Sequence, residues 1–556
     1  MRIIKQWLTG RDEAALKDIL LLLGLFGIVF FQTLGRLPLI DPDEGRYAEI
    51  PREMLERCDF ITPLLNYVKY FEKPPLHYWL NALSMSAFGQ NEFAARFPGA
   101  LMGLLAVILT YHLGRKLFDR RTGLLSAIIL GTCTGFLVQA RLNITDMTLT
   151  CTLSAALGFF IVAARRGEQR KAVYYHLAYV CAALAVLAKG LIGIVFPGAI
   201  VFFYLLLARR WSLLKEMRLA TGIPLFLLVA APWFILVSLR NPEFARFFFI
   251  HEHFERFTSK VHGRYQPVWF FIPVLLGTML PWSFLIPAAV RGAWRDRRSE
   301  EGNARLYLVI WAALIFLFFS KSDSKLIPYI LPVFPALAVL LGHAFSSILD
   351  NEFKPLRLQA SLAGGVLCLL GTGLVLYPHL AAKPDISVST GTIVGILFLI
   401  QGGLALGAVG KKNTLALFMA FAFCSYVVEF VGPSMALPEI VEGKSAKELA
   451  LKVAQAAPKD AAIVSFGIEQ GLSFYTGRRV IVFGDRNELE FGSRQGDQSA
   501  WFIDIDKFPE FLTLWQGKRP VYFFLTDIEY AYIKAAIPPP VTVLGRDKRK
   551  IVITNR

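Results

Sequence analysis

The sequence predicts an α-helical polytopic membrane protein that ends in a small α/β domain. Three observations carry this. The chain of 556 residues is 55% hydrophobic and only 18% charged, which leaves too few polar groups to clothe a soluble protein of that length. Apolar runs long enough to cross a bilayer follow one another from about residue 19 to about residue 433. After about residue 438 the pattern changes to short β-type runs between helix-forming stretches.

About thirteen spans are expected, near 19–34, 97–114, 122–140, 145–164, 173–188, 191–208, 219–239, 268–289, 306–320, 327–343, 358–377, 391–409 and 414–433. The first follows Arg2, Lys5, Arg11 and Lys17, a flank that a signal peptide would share. Gly35-Arg36-Leu37-Pro38 offers no small-x-small cleavage pattern, so an uncleaved first span is expected. The fifth and sixth spans are separated only by Lys189-Gly190. Cys133, Cys151, Cys181, Cys368 and Cys424 fall in apolar runs and Cys58 in a polar loop. That is neither a disulfide framework nor a metal-type spacing.

The loops orient these spans. Arg115, Lys116, Arg120 and Arg121 follow span two, and Arg165, Arg166, Arg170 and Lys171 follow span four. Further Lys/Arg-rich loops follow spans six, eight, ten and twelve, all on one side of the thirteen-span count. The positive-inside rule makes that side, with the N-terminus, cytoplasmic. The net charge of +17 would favour nucleic acid in a soluble protein. Here the charges mark loops, and Arg546–Lys550 reads as a solvated turn, so no nucleic-acid partner is expected.

The opposite, outer side receives loops 35–96, 140–145, 240–267, 320–326 and 378–390, and the tail. Loop 35–96 is long enough to have structure of its own. Glu44–Arg57 and Leu76–Phe88 read as short helices lying along the interface, the first with Tyr47, Ile50, Met54 and Leu55 on its apolar side, the second with Tyr78 and Trp79 as an anchoring rim. In the tail, Ser445-Ala446-Lys447-Glu448 reads as a capping box opening a helix. Ala461–Phe466, Val480–Phe483, Val521–Leu525 and Lys550–Thr554 read as strands. The expected division is a membrane domain, 1–437, whose first outer loop carries the chemistry, and an outer α/β domain, 438–556, acting as a lid or docking domain.

The chemistry-bearing groups gather in the outer loops. Asp43 and Glu44 open a predicted helix, where a cap and a dipole-favoured first turn would account for them. Arg46 and Tyr47 a turn later, and Lys69-Tyr70-Phe71-Glu72-Lys73 downstream, are companions that a cap does not need. Asp146 starts span four, where Thr145 is an equally good cap. An ionisable group in a membrane segment is costly and faces a polar cavity when it is kept. Lys69, Lys73, Arg256, Arg264, Lys321 and Lys325, with Tyr47, Tyr70 and Tyr329, suit a phosphate pocket. Lipid headgroup anchoring is the simpler use of such cations. Glu72, His251, His253 and His262 could ligate a divalent metal, although no local spacing enforces a site. Neither a P-loop nor a dinucleotide-type glycine motif is present, so no nucleotide cofactor is expected. A donor activated as a lipid phosphate fits an outward-facing site.

Asp43–Ile50, Arg52-Glu53-Met54-Leu55, Tyr70-Phe71-Glu72-Lys73-Pro74, Glu252-His253-x-x-Arg256-Phe257 and Lys325-x-x-x-Tyr329-Ile330-Leu331 resemble the bacterial aminoarabinose transferases that modify lipid A. These belong to the protein O-mannosyltransferase-like membrane glycosyltransferases of GT-C fold. The resemblance implies transfer of 4-amino-4-deoxy-L-arabinose from undecaprenyl phosphate to lipid A, with inversion, at the periplasmic face of the inner membrane. It implies Asp43 as the central carboxylate and Asp146 as the second acidic site. It implies Arg46, Tyr47, Tyr70, Lys73, Arg256, Lys325 and Tyr329 toward the donor or its phosphate, and Glu72 with His253 as a pair that can hold a metal. Pro75-Leu76-His77-Tyr78-Trp79 has the form of the wider bacterial family, which leaves another sugar, or a protein or glycan acceptor, open. A flippase of lipid-linked sugars is the competing class. The chain shows no internal repeat of the kind transporters carry, and its ionisable groups gather on one face, which favours an enzyme.

Overall fold

The apolar runs form helices because a backbone in hydrocarbon must satisfy its polar groups within the segment. The computed structural model describes residues 11–255, 265–295, 299–349 and 357–556. Among them, ten helices are long and apolar enough to cross a membrane. Two further spans are broken: Arg120–Gly131 and Thr134–Ala140 meet at 67°, and Val268–Thr278 and Trp282–Arg291 at 113°. Ile192–Leu207 is a shorter apolar helix of 16 residues. Together these account for every apolar stretch that the sequence marks.

The first break shows how a bent span avoids orphaned carbonyls. Thr132 Oγ1 donates back to Ile128 O at 2.6 Å and Cys133 Sγ to Ile129 O at 3.0 Å. Trp282, from the second break, donates its indole N–H to Thr132 Oγ1 at 3.1 Å.

The chain divides into two compact units. One comprises residues up to 32, 99–235 and 245–439. Its helices close up on small residues: a Cβ on Gly371 would stand 2.6 Å from Gly395 O, and one on Gly395 2.7 Å from Gly371 O. Asp18, buried in the first helix, accepts from the Arg120 guanidinium at 2.6 and 2.7 Å and from Tyr111 Oη at 2.6 Å. Arg141 closes the other end of that helix, donating to Val29 O at 3.0 Å and Gln32 O at 2.7 Å.

The other unit comprises residues 33–98, 236–244 and 440–556, so the contacts of the first long loop group it with the tail. Within the loop, β1 (Leu64–Leu65) and β2 (Val68–Lys69) form a small antiparallel hairpin. The tail contains β3 (Ala462–Phe466), β4 (Ile481–Phe483), β5 (Phe502–Ile503), β6 (Val521–Thr526), β7 (Thr542–Arg546) and β8 (Lys550–Thr554). The sheet order is β5-β4-β3-β6-β8-β7, with β3, β4, β5 and β6 parallel and β8 and β7 antiparallel. Its core is apolar, centred on Phe483, Phe511, Trp515, Phe523 and Ile553.

Three expectations change here. The helix Asp43–Arg57 is not a one-sided interfacial helix: every residue from Glu44 to Met54 is buried, against the helices Leu76–Phe88 and Gln470–Thr476. Tyr78 is fully buried rather than part of a rim. The capping box at Ser445 does not form. The helix starts at Lys447 behind Ala446, and Ser445 Oγ accepts the Lys447 N–H at 3.3 Å rather than that of Glu448, while the Ala446 N–H goes to the Asp41 carboxylate at 3.2 Å. A capping box does form at Thr526 and Glu529.

Candidate functional site

Asp43 is the first residue of its helix. The N-cap is Pro42 and no side chain caps the start, so the cap reading of Asp43 does not hold. Its carboxylate, about half exposed, instead pairs with Arg46 one turn on. Arg46 is itself buried, at 7% side-chain exposure. It also pairs with Glu488 of the tail and donates to Tyr70 Oη at 3.3 Å. Its guanidinium lies 5.0 Å from the centre of the Tyr47 ring. Burial opposes the charge on Arg46, but the facing Tyr70 and Tyr47 hydroxyls and the Asp43 and Glu72 carboxylates outweigh it and hold the group well above its ordinary value. Burial also pushes Tyr70 and Tyr78 up, so both stay protonated.

Two polar atoms in this nest, Arg46 Nε and Tyr78 Oη, are buried without a hydrogen-bond partner. Buried polar groups are nearly always satisfied, so these two are set for a water or a ligand group. Lys73 donates to Glu72 O at 2.9 Å and stands 4.0 Å from the Glu72 carboxylate. Lys69 pairs with Glu243. Phe71 packs edge-on to Phe244, ring centres 5.2 Å apart.

Below this nest lies a second layer that sequence reasoning did not separate from the first. Glu44 points the other way from Asp43 and receives Arg96 in a two-pronged bond, both contacts at 2.7 Å. Arg96 also reaches Leu34 O, Leu37 O and Pro38 O at 3.0, 2.7 and 2.7 Å. Glu49 takes Arg52 at 2.6 and 2.7 Å. Glu53, beside it, accepts the Tyr67 N–H at 3.0 and 3.1 Å. Burial together with the neighbouring Glu49 raises Glu53 well above the carboxylate range.

In the other unit, Asp146 sits in the first turn of Thr145–Ala163, behind the N-cap Ile144, with no side-chain cap. Its partner is Lys189, at 2.5 Å, with both side chains nearly buried. The Lys189 ammonium also lies 5.0 Å from the centre of the Tyr329 ring. Three sequence-distant residues thus form one cluster. In the sequence Lys189 marks only the gap between two spans, and its place in the cluster is set by long-range packing that no local pattern signals. Lys325, 3% exposed, donates to Gln266 O at 2.7 Å and to Ser322 O. Burial lowers its pKa from the ordinary lysine value.

Arg256 lies outside the described residues, as does the side chain of His253. Among the described residues, no group of three or more His, Cys, Asp or Glu is placed to hold a metal ion.

Comparison with known proteins bears on both units. A family model described as dolichyl-phosphate-mannose-protein mannosyltransferase matches residues 72–236. One described as aminoarabinose transferase C-terminal domain matches residues 449–555. An undecaprenyl phosphate-alpha-4-amino-4-deoxy-L-arabinose arabinosyl transferase of Erwinia tasmaniensis is 31% identical over 538 residues, 94% of this chain and 96% of the relative. The crystal structure of apo ArnT from Cupriavidus metallidurans superposes with a TM-score of 0.84 at 29% identity, covering 98% of each chain. The same protein bound to undecaprenyl phosphate superposes at 0.81, again at 29% identity, covering 97% of this chain and 98% of that one.

Proposed function

The chain belongs to the undecaprenyl phosphate-alpha-4-amino-4-deoxy-L-arabinose arabinosyl transferase family, and from that premise we propose that it moves 4-amino-4-deoxy-L-arabinose from undecaprenyl phosphate to lipid A at the periplasmic face of the bacterial inner membrane. The observation that carries this is the likeness over nearly the whole chain, tail included, to enzymes of that name. The orientation places the N-terminus in the cytoplasm and the tail in the periplasm. The Lys/Arg-rich loops support it. So does the clustering of Asp146, Lys189 and Tyr329, which all fall at helix ends assigned to the outer side.

The leaving group is a phosphate monoester. It departs unprotonated when fixed cations meet its growing charge. The first outer loop offers Lys73 and Arg46 for this, the latter held by Asp43 and Glu488. Tyr47 and Tyr70 supply the walls of that nest. If the acceptor is a lipid A phosphate, it is nucleophilic without a base. Asp43 then orients the acceptor or stabilises positive charge developing on the sugar ring, and its half-exposed carboxylate is reachable for that task. Asp146 holds Lys189 over the Tyr329 ring, and Lys325 fixes the loop that precedes Tyr329. Arg256 completes the proposed donor contacts. Glu72 with His253 remains the proposed metal pair, and no step of the transfer is routed through a metal.

The test is mass spectrometry of lipid A from a host that makes the aminoarabinose carrier lipid, with and without this chain. The aminopentose is expected on lipid A, with polymyxin resistance alongside. Asp43→Asn should lower transfer about 100-fold or more while leaving the protein inserted and folded. No aminopentose from the folded wild type would overturn the choice of sugar or acceptor. A mannose-like sugar on a protein would then be sought, as the match over 72–236 suggests. Wild-type turnover by Asp43→Asn would remove Asp43 from the site.

A further inference from the structure

Asp41 stands two residues before Asp43, and none of the roles above uses it. Its carboxyl is seated in the tail domain. Oδ1 accepts the Gly471 N–H at 2.7 Å and Oδ2 the Ala446 N–H at 3.2 Å, and the Asp41 N–H donates to Lys444 O at 3.0 Å. Two glycines make the seat. A Cβ on Gly45 would stand 2.3 Å from Asp41 Oδ1 and 2.5 Å from Gly471 N. For a Cβ on Gly471 the three nearest atoms are all of the Asp41 carboxyl, the closest at 2.8 Å.

A second carboxyl meets the first. Glu469, whose charge bears on Asp41, pairs with Lys550, all but buried, on β8. Lys550 lies opposite Thr526, the last residue of β6, and Glu469 follows closely on the end of β3. Between β3 and β6 the strand order reverses, since β3 continues to β4 on one side and has β6 on the other. The crevice at the carboxyl ends of such strands is where open α/β sheets bind ligands. Here the chain's own Asp41 enters it.

We propose that Asp41 is a positioning residue for the transfer: its carboxyl seats the helix carrying Asp43 and Arg46 on the tail domain by accepting the Gly471 and Ala446 N–H groups in the socket of Gly45 and Gly471. Asp41 is raised to about 8, chiefly by burial and then by the Glu469 carboxylate. Among the described residues, the other ionisable side chains near this seat have partners of their own or are exposed: Tyr475 accepts the Leu39 N–H and donates to Glu92. Lys447 pairs with Glu92 and Glu44 with Arg96, Asp43 pairs with Arg46, and Lys444 is exposed. The docked loop thus binds one proton more than the undocked loop between pH 3.8, the ordinary Asp value, and about 8. Docking is therefore strongest below that window, weakens as pH rises through it, and is level above it.

The kinetic part of this proposal rests on the transfer reading; the seat itself is tested without substrate. The protein in lipid nanodiscs is compared as wild type, Asp41→Ala, Asp41→Asn, Gly471→Ala and the double variant Asp41→Ala/Gly471→Ala. Hydrogen exchange is read over the Asp43–Arg57 amides. Asp41→Ala and Gly471→Ala should each speed that exchange at least 10-fold. The double variant should be no worse than Asp41→Ala, because the alanine at 471 clashes only with the carboxyl that is gone. In transfer assays, Asp41→Ala should lower kcat about 10-fold or more with the donor KM within about two-fold, as expected when a transition-state group is displaced. Asp41→Asn, permanently neutral and able to keep one of the two N–H bonds through its amide oxygen, should restore part of kcat and remove the decline that the wild type shows between pH 6 and 8.

Unchanged exchange in Asp41→Ala, or additive losses in the double variant, would overturn the seat. Faster exchange with wild-type kcat would overturn the positioning role. A wild type inactive with the aminoarabinose donor would instead count against the choice of donor, and the exchange data would still decide the seat.

Discussion

Two helices in this protein carry a carboxylate in the first turn that does not cap them, and the two regions use it differently. At Asp43–Arg57 the acidic pair is divided. Asp43 turns outward to Arg46 and stays half exposed, while Glu44 turns inward to Arg96 and is buried. At Thr145–Ala163 the single Asp146 is nearly buried against one lysine, with an aromatic ring under the ammonium. Neither carboxylate caps its helix. The loop helix is thus a charged element buried inside a polar network, whereas the helix at Asp146 is an apolar span carrying one compensated charge. A network can lose an outer member and keep its shape. An isolated pair loses everything with either partner.

The largest expected effect breaks the inner half of the first region. Arg96→Ala takes the two-pronged guanidinium partner from buried Glu44 and frees three loop carbonyls. Removing one partner of such a pair costs about 3–5 kcal/mol. Thermal unfolding in detergent, followed by tryptophan fluorescence, should show a large loss. Asp43→Asn, one residue from Glu44, should unfold at the wild-type temperature. A stable Arg96→Ala protein, or an unstable Asp43→Asn, would erase the distinction between an inner support and an outer working carboxylate.

The second region gives an intermediate effect with a diagnostic sign. Asp146→Asn or Lys189→Met alone strands a charge, at about 3 kcal/mol or more. Asp146→Asn with Lys189→Met removes both charges, and its thermal stability should return at least halfway to wild type. Transfer should remain low in all three if the pair works in the reaction. Recovery of both stability and activity in the double variant would make the pair purely structural.

The sequence reveals the spans, the loop helices and four of the six tail strands, because periodicity and β-branched runs are local signals. It misses β5, two residues long, and β7, whose Thr542–Arg546 run has little burial to pattern it. At the site it marks Asp43, Arg46, Tyr47 and Tyr70, which the fold brings together. It does not mark Glu488, Arg96 or Lys189. Each of these meets its partner from a distant part of the chain, and each sits in a setting that reads as ordinary: a tail turn, a helix start, a span end. The apolar-face reading of Asp43–Arg57 fails for the same reason. Burial on every side is set by the tail packing around it, and ion pairs rather than apolar periodicity make that burial tolerable.

The smallest expected effect lies at the rim of the loop network. Lys73 holds the Glu72 carbonyl at 2.9 Å and faces the Glu72 carboxylate at 4.0 Å, a loose arrangement of a point charge on a flexible stem. Lysine suits this position because it can swing to a phosphate without breaking a two-pronged bond. Lys73→Ala should therefore leave unfolding unchanged. It should raise the donor KM about 5–10-fold, the 1–1.4 kcal/mol of a single charge-assisted hydrogen bond to a partly solvated phosphate. Lys73→Arg should recover part of that loss, because the charge is kept while the reach and shape change. Titration of initial rates against donor concentration separates the cases. A fall in kcat at constant KM would show that Lys73 meets only the growing charge of the departing phosphate and does not hold the bound donor.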